Sequence, residues 1–189
     1  MKAKTPNHVM IDLETMGTKP GCPIVSIGAV VFDPRYGELT KQEFYVELDW
    51  MEQDHAYGLK IDMDTMAWWD QQSEQVRQGL NGLDNLKTEL KNLSKWFPKD
   101  AKVWGNGATF DISILEHCYG VLKLPIPWKF WNIRDCRTVT DMYESQRGGL
   151  SKAMGSGRDK KNIHHNALGD ARHQAAQINK MWRVLVGEK

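Results

Sequence analysis

The chain has 189 residues, of which 41% are hydrophobic and 26% charged, with a formal net charge of +1. These values suit one globular domain spanning 1–189 with a sizeable core, and they argue against a disordered or fibrous chain. No run of about 18 apolar residues occurs, which excludes a membrane-spanning helix. The opening MKAKTPNHVM lacks the apolar core and cleavage site of a signal peptide, so a cytoplasmic location is expected.

In chain order, NHVMIDLE reads as a first strand and PIVSIGAVVFD as a second, rich in valine and isoleucine. DPRYGE turns into a third, LTKQEFYVELD, whose apolar and polar residues alternate. Such tight connections predict an antiparallel meander. Residues 50–64 show no period and read as a loop, after which DTMAWWDQQSEQVRQ is predicted helical with Asp64 as its N-cap. Leu83, Leu86, Leu90, Leu93 and Phe97 follow the spacing of an amphipathic helix packed on a core.

Beyond Pro98, KVWGNG is a short buried strand ending in a glycine turn, and FDISILEHCYGVL a helix. WNIRDCRTV reads as a fifth strand and TDMYESQ as a short helix. Residues 147–161, rich in glycine, lysine and arginine without a period, read as a mobile loop. A last helix starts near Asn166 and buries Ala171, Ala175, Ile178, Trp182 and Leu185. Three antiparallel strands followed by alternating helices and strands make an α/β fold: a mixed sheet with helices on both faces.

Charge is unevenly spread. Residues 41–100 carry 7 Lys/Arg against 12 Asp/Glu, whereas 123–161 carry 9 against 4. A basic stretch of that kind steers phosphates, or is a solvated surface. Cys22, Cys118 and Cys136 contain no CxxC pair, which fits reduced thiols better than a disulfide framework.

Three places concentrate carboxylates. Asp12 and Glu14 stand two apart on a predicted strand and therefore share a face. Two such carboxylates near a core repel one another unless a cation sits between them, or unless the strand has already reached solvent. Asp111 follows the Gly105–Asn106–Gly107 turn, where it either caps a helix or serves a site. Asp170 falls in the first turn of the last helix, which the helix dipole also favours. Converging hard oxygen ligands suit Mg2+ or Mn2+ rather than zinc.

DLET (Asp12, Glu14), NGATFD (Asn106, Phe110, Asp111) and HNALGD (His165, Asp170) match in order the exonuclease motifs of the DnaQ-like 3′–5′ exonucleases, in their histidine-containing DEDDh subgroup. The resemblance covers nearly the whole chain and implies a ribonuclease H-like fold. DLETMG, TMAWWDQQS and FWNIRDCRT further resemble the phage DexA type of exodeoxyribonuclease, whose relatives include bacterial exoribonucleases. A phage or prophage origin, with action in the host cytoplasm, follows from that likeness. Many relatives carry an apolar wedge after the glycine of the first motif; Thr18 stands there instead, so no wedging role is assigned to it.

The resemblance implies that Asp12, Glu14, Asp111 and Asp170 hold two Mg2+ ions, with Mn2+ able to substitute, and that His165 is the general base. It implies release of nucleoside 5′-monophosphates from a 3′ end, of single-stranded DNA by preference or of RNA. Thr15, Asn106, Phe110, Trp69 and Arg158 are the expected substrate contacts. Trp68, Trp69, Trp128, Phe130 and Trp131 are candidate base-stacking platforms or core packing; Arg134, Arg137, Arg158, Lys160 and Lys161 are candidate phosphate contacts. A different class, a zinc-stabilised binding module built on His164, His165, Asp170 and His173, lacks a nearby cysteine and leaves Asp12, Glu14 and Asp111 without a role.

Overall fold

The computed structural model describes residues 7–35, 39–146 and 165–187. The glycine-rich stretch 147–161, with Arg158, Lys160 and Lys161, and also His164, lies outside the described residues. The described residues form a five-stranded sheet in the order β3-β2-β1-β4-β5. Strands β1 (His8–Thr15), β2 (Ile24–Phe32) and β3 (Leu39–Glu47) pair antiparallel, while β4 (Lys102–Gly105) and β5 (Ile133–Asp135) run parallel to β1. The predicted meander and the mixed α/β class are both present.

The period of β1 divides its side chains between two cores. Val9, Ile11 and Leu13 face a cluster with Leu86, Leu90 and Leu93 of α4 (Leu86–Trp96) and Ile112, Leu115 and Tyr119 of α5 (Ala108–Val121). Met10 faces the opposite cluster, with Val139 and Tyr143 of α6 (Cys136–Gln146) and Ala171, Ala175 and Ile178 of α7 (Ala167–Leu185). Asp12 and Glu14 continue the Met10 side, so they point toward α7. With helices over both faces, every residue of β2 is buried, which explains its apolar run, broken only by Ser26.

Several elements differ from the sequence expectation. Residues 50–64 are not a loop: Trp50–Tyr57 form α1, capped by Asp49, whose carboxylate accepts from Glu52 N–H at 2.9 Å. This helix has no apolar stripe because its fully buried residue is Gln53, whose side chain closes two bonds with the Ile24 backbone at 2.8 and 2.7 Å. The expected helix 64–78 is two helices, α2 (Met63–Asp70) and α3 (Glu74–Arg77). Asp62, not Asp64, caps α2, accepting from Asp64 N–H at 2.9 Å; Ser73 caps α3 and interrupts the run. Leu83 precedes the Asn85 cap of α4 and is 87% exposed. The fifth strand shrinks to three residues because Cys136, Val139 and Tyr143 fall on one helical face of α6.

All three cysteines are buried free thiols. Among the described residues no helix is long and apolar enough to cross a membrane.

Candidate active site

A cleft of about 830 Å3 opens where β1 and β4 end, with Asp12, Glu14, Asn106, Phe110, His165 and Asp170 in its lining. β1 delivers Asp12 and Glu14 to its floor. Asn166 caps α7, its side-chain oxygen accepting from Gly169 N–H at 2.9 Å, and this fixes Asp170 in the first turn as expected. Ligand oxygens of Asp12, Glu14 and Asp170 lie within 4.8 Å of one another.

Crowding and burial disturb these carboxyls. Burial, with added repulsion from Asp170 and Asp111, pushes Glu14 up to about 8. Asp12 is raised well above its ordinary value by burial and then by Asp111 and Glu14, although Gln174 opposes this. The Gln174 amide donates to Asp12 Oδ1 at 2.7 Å, and its own Oε1 has no hydrogen-bond partner among the described residues. Carboxylates that destabilise one another when ionised, next to an unsatisfied amide oxygen, fit a hard divalent cation. Among the described residues this all-carboxylate group is the one whose ligand atoms converge, so the histidine-rich zinc arrangement is not formed there.

Asp111 is not a helix cap. Its Oδ1 accepts from the Leu13 backbone N–H at 3.2 Å, tying α5 to β1 between the two carboxylates of the first motif. Burial raises it to about 7, against the opposing Leu13 hydrogen bond and the nearby Arg137 charge. The capping role falls to Asp135, whose Oδ2 accepts from Ala108 N–H at 2.6 Å.

His165 sits directly before the Asn166 cap, in a left-handed backbone conformation with φ of 66°. Its ring packs edge-on to Trp68, with centroids 4.8 Å apart and planes at 84°, and lies 6.2 Å from Trp69. The same residue also lines an adjoining pocket of about 370 Å3 with Tyr45 and Glu47, so its ring stands between two cavities.

The expected substrate contacts divide. Thr15, Trp69, Asn106 and Phe110 all line the cleft, but the first two are engaged in the protein's own bonds. Thr15 spends its hydroxyl on Gly17 O at 2.6 Å. Trp69 is only 2% exposed and donates from Nε1 to Thr15 O at 3.0 Å, so its ring faces are occupied by packing; its neighbour Trp68, 39% exposed, presents the open indole. Trp128 is a core residue against Phe97 and Tyr119. Phe130 and Trp131 are exposed but precede β5 at its N-terminal end, away from the strand ends that form the cleft. One residue of the site, Gln174, had no role in the sequence, while Trp68 stood there as one of five candidate stacking platforms with Trp69 preferred to it. Gln174 follows Asp170 by one helical turn, a spacing that would have revealed it. Trp68 sits beside Trp69 in the same motif and could be told from it only by burial.

A mixed sheet flanked by helices, ending in a convergent acidic cleft with a histidine at its wall, is the frame of a DnaQ-like nuclease. Residues 7–182 match the model of the 3′–5′ exoribonuclease Rv2179c-like domain, and the chain belongs to that family. An exodeoxyribonuclease of Enterobacteria phage T4 is 26% identical over 159 residues, 68% of each chain. The fold is shared with cell-death related nuclease 4, CRN-4 (TM-score 0.65, 9% identity, 95% of this chain and 65% of that one). It is shared also with the nuclease domain of 3′hExo, a DEDDh family member bound to rAMP (TM-score 0.59, 14% identity, 97% and 95%), and with the RNase domain of yeast Pop2 (TM-score 0.59, 12% identity, 98% and 79%). The chain is a 3′–5′ exonuclease of the DEDDh type.

Proposed function

We propose that this domain removes nucleoside 5′-monophosphates one at a time from the 3′ end of single-stranded nucleic acid, using divalent cations held by Asp12, Glu14, Asp111 and Asp170. The observation that carries this reading is the convergence of three carboxylate oxygens within 4.8 Å at the cleft floor. Asp111, close enough for its charge to act on both Asp12 and Glu14, would join them. When bound, a pair of Mg2+ or Mn2+ ions supplies activation of water and stabilises charge on the attacking and leaving oxygens of an in-line displacement.

The protein's own groups do the rest. His165 takes a proton from the attacking water at an imidazole nitrogen while the bond from phosphorus to the 3′ oxygen breaks. The water oxygen stays on phosphorus, which leaves as the 5′-monophosphate, and the freed 3′ oxygen takes a proton from solvent to become the new 3′ hydroxyl of the shortened strand. Trp68 supplies a face for the terminal base, a contact worth roughly 1–3 kcal/mol per base. Asn106 and Phe110 border the path of the strand.

Two substrates compete. The family description favours RNA, and the phage T4 relative, an exodeoxyribonuclease, favours the single-stranded DNA expected from the sequence. The deciding experiment is digestion of one 5′-labelled sequence in both sugar forms with Mg2+ or Mn2+. A ladder shortening from the 3′ end on either strand supports the exonuclease reading, and the faster strand names the substrate. No shortening of either strand refutes it.

A further inference from the structure

The cleft is one-sided in charge. Asp12, Glu14, Asp62, Asp64 and Asp170 line it, and among the described residues no lysine or arginine does. A strand laid there brings a negative phosphate with every nucleotide, and phosphates away from the carboxylate floor need a cation nearby.

Arg137 is placed to provide one. The Asp135 carboxylate that accepts from Ala108 N–H at 2.6 Å also accepts from Arg137 N–H at 2.8 Å. One side chain thus ties the start of α5 to the start of α6, and it sets Arg137 over the turn at Gly107. A Cβ on Gly107 would stand 2.9 Å from the Arg137 guanidinium carbon, and the residue has φ of 97°. Glycine is therefore needed there twice over, for the backbone and for the arginine. Asn106 and Phe110, on either side of Gly107, line the cleft, so the guanidinium stands at its rim.

Arg137 is exposed, and none of the ion pairs among the described residues uses it; Arg35, Lys60, Lys129 and Arg172 each hold a carboxylate. Arg134 behaves differently. Its Nη1 folds back onto the carbonyls of Trp131 and Ile133 at 2.9 and 2.7 Å.

We propose that Arg137 binds a phosphate of the substrate strand at the rim of the cleft, beside the nucleotide being removed. This rests on the exonuclease reading above. The guanidinium fork suits two phosphate oxygens. It also gives a role to FWNIRDCRT: Asp135 positions the loop and Arg137 grips the strand.

The test measures binding of a labelled single-stranded oligonucleotide across a salt series. An Asp12→Asn background with Mg2+ keeps the strand from being consumed. Arg137→Ala is expected to weaken binding about tenfold and to lower the slope of log affinity against log salt by about 0.7. Arg137→Lys is expected to keep the slope while binding less tightly, because it keeps the charge and loses the fork. Unchanged affinity in Arg137→Ala overturns the proposal. So does weaker affinity with an unchanged slope, which would mark a purely structural brace. Turnover by the wild-type protein is read separately: hydrolysis of neither DNA nor RNA refutes the exonuclease reading, whereas the salt slope alone judges Arg137.

Discussion

Gly28 of β2 touches the peptide between Ala167 and Leu168 so closely that a Cβ built on it would overlap that backbone. Gly28 is also the register partner of Asp12. The absence of one side chain thus lets the first turn of α7 settle onto the sheet at the level of the first carboxylate, which is how Asp170 reaches Asp12 and Glu14.

Gly28→Ala should therefore push the start of α7 off the sheet. The expected cost is about 2 kcal/mol in stability from overpacking, and about a hundredfold in turnover because a misplacement near 1 Å suffices. Thermal melts and initial rates read both. A variant that keeps full activity would show that α7 is not held by this contact.

Asp12→Asn, Glu14→Gln and Asp170→Asn should each lose most turnover and weaken Mg2+ binding measured by calorimetry. In metal-free protein near pH 8, Asp12→Asn should melt higher than wild type, since it removes a carboxyl that repels Asp111 and Glu14. A lower melting temperature with intact secondary structure would mean that the carboxylates stabilise the fold rather than strain it.

Stability of the metal-free protein should fall as pH rises from 6.5 to 8. Glu14 keeps its proton until about 8 when folded but ionises near its ordinary 4.5 when unfolded; Asp111 does so at about 7 rather than 3.8. The folded state then binds more protons than the unfolded state, so raising pH favours unfolding. His8, buried and lowered to about 4 from 6.5, acts oppositely and only below 6.5, where the unfolded chain gains the proton first. The window from 6.5 to 8 thus belongs to the carboxyls. Mg2+ should raise the melting temperature more at pH 8 than at 6.5, because the ligands must be deprotonated. A metal-free melting temperature that climbs across this window would contradict the assignment.

His165→Ala should reduce turnover by about 10²–10⁴, the usual yield of a general base, with little change in strand affinity. His165→Gly, which suits the left-handed backbone better, should lose as much. Equal loss in both separates the imidazole from the backbone it stands on. Recovery of activity in either variant would remove His165 from the chemistry.

Much of the site was legible because it depends on short spacings. Asp12 and Glu14 share a face through the period of a strand, and the interval from His165 to Asp170 spans a cap that Asn166 announces. The antiparallel meander and the mixed sheet followed from the same patterns, whereas the strand order did not. What escaped depended on partners far away in sequence. Local sequence leaves Asp111 either a cap or a site residue, and it is the Leu13 N–H, 98 residues earlier, that takes it off the helix end. Trp68 and Trp69 differ by about 100° around a helix, so one is buried and one faces the cleft; which is which depends on Thr15. Helix α1 was invisible because its one buried side chain is a glutamine serving the backbone of Ile24.

If the acidic cleft cuts single nucleotides from a 3′ end with bound divalent cations, both the position of a label and chelation of the metal must govern what is released. The most direct measurement follows a 3′-labelled and a 5′-labelled copy of one strand with Mg2+, with EDTA, and with Asp170→Asn. Expected are immediate release of labelled nucleoside 5′-monophosphate from the first copy and stepwise shortening of the second, both abolished by EDTA and by the substitution. Internal cleavage, release from the 5′ end, or undiminished cutting in EDTA would contradict it.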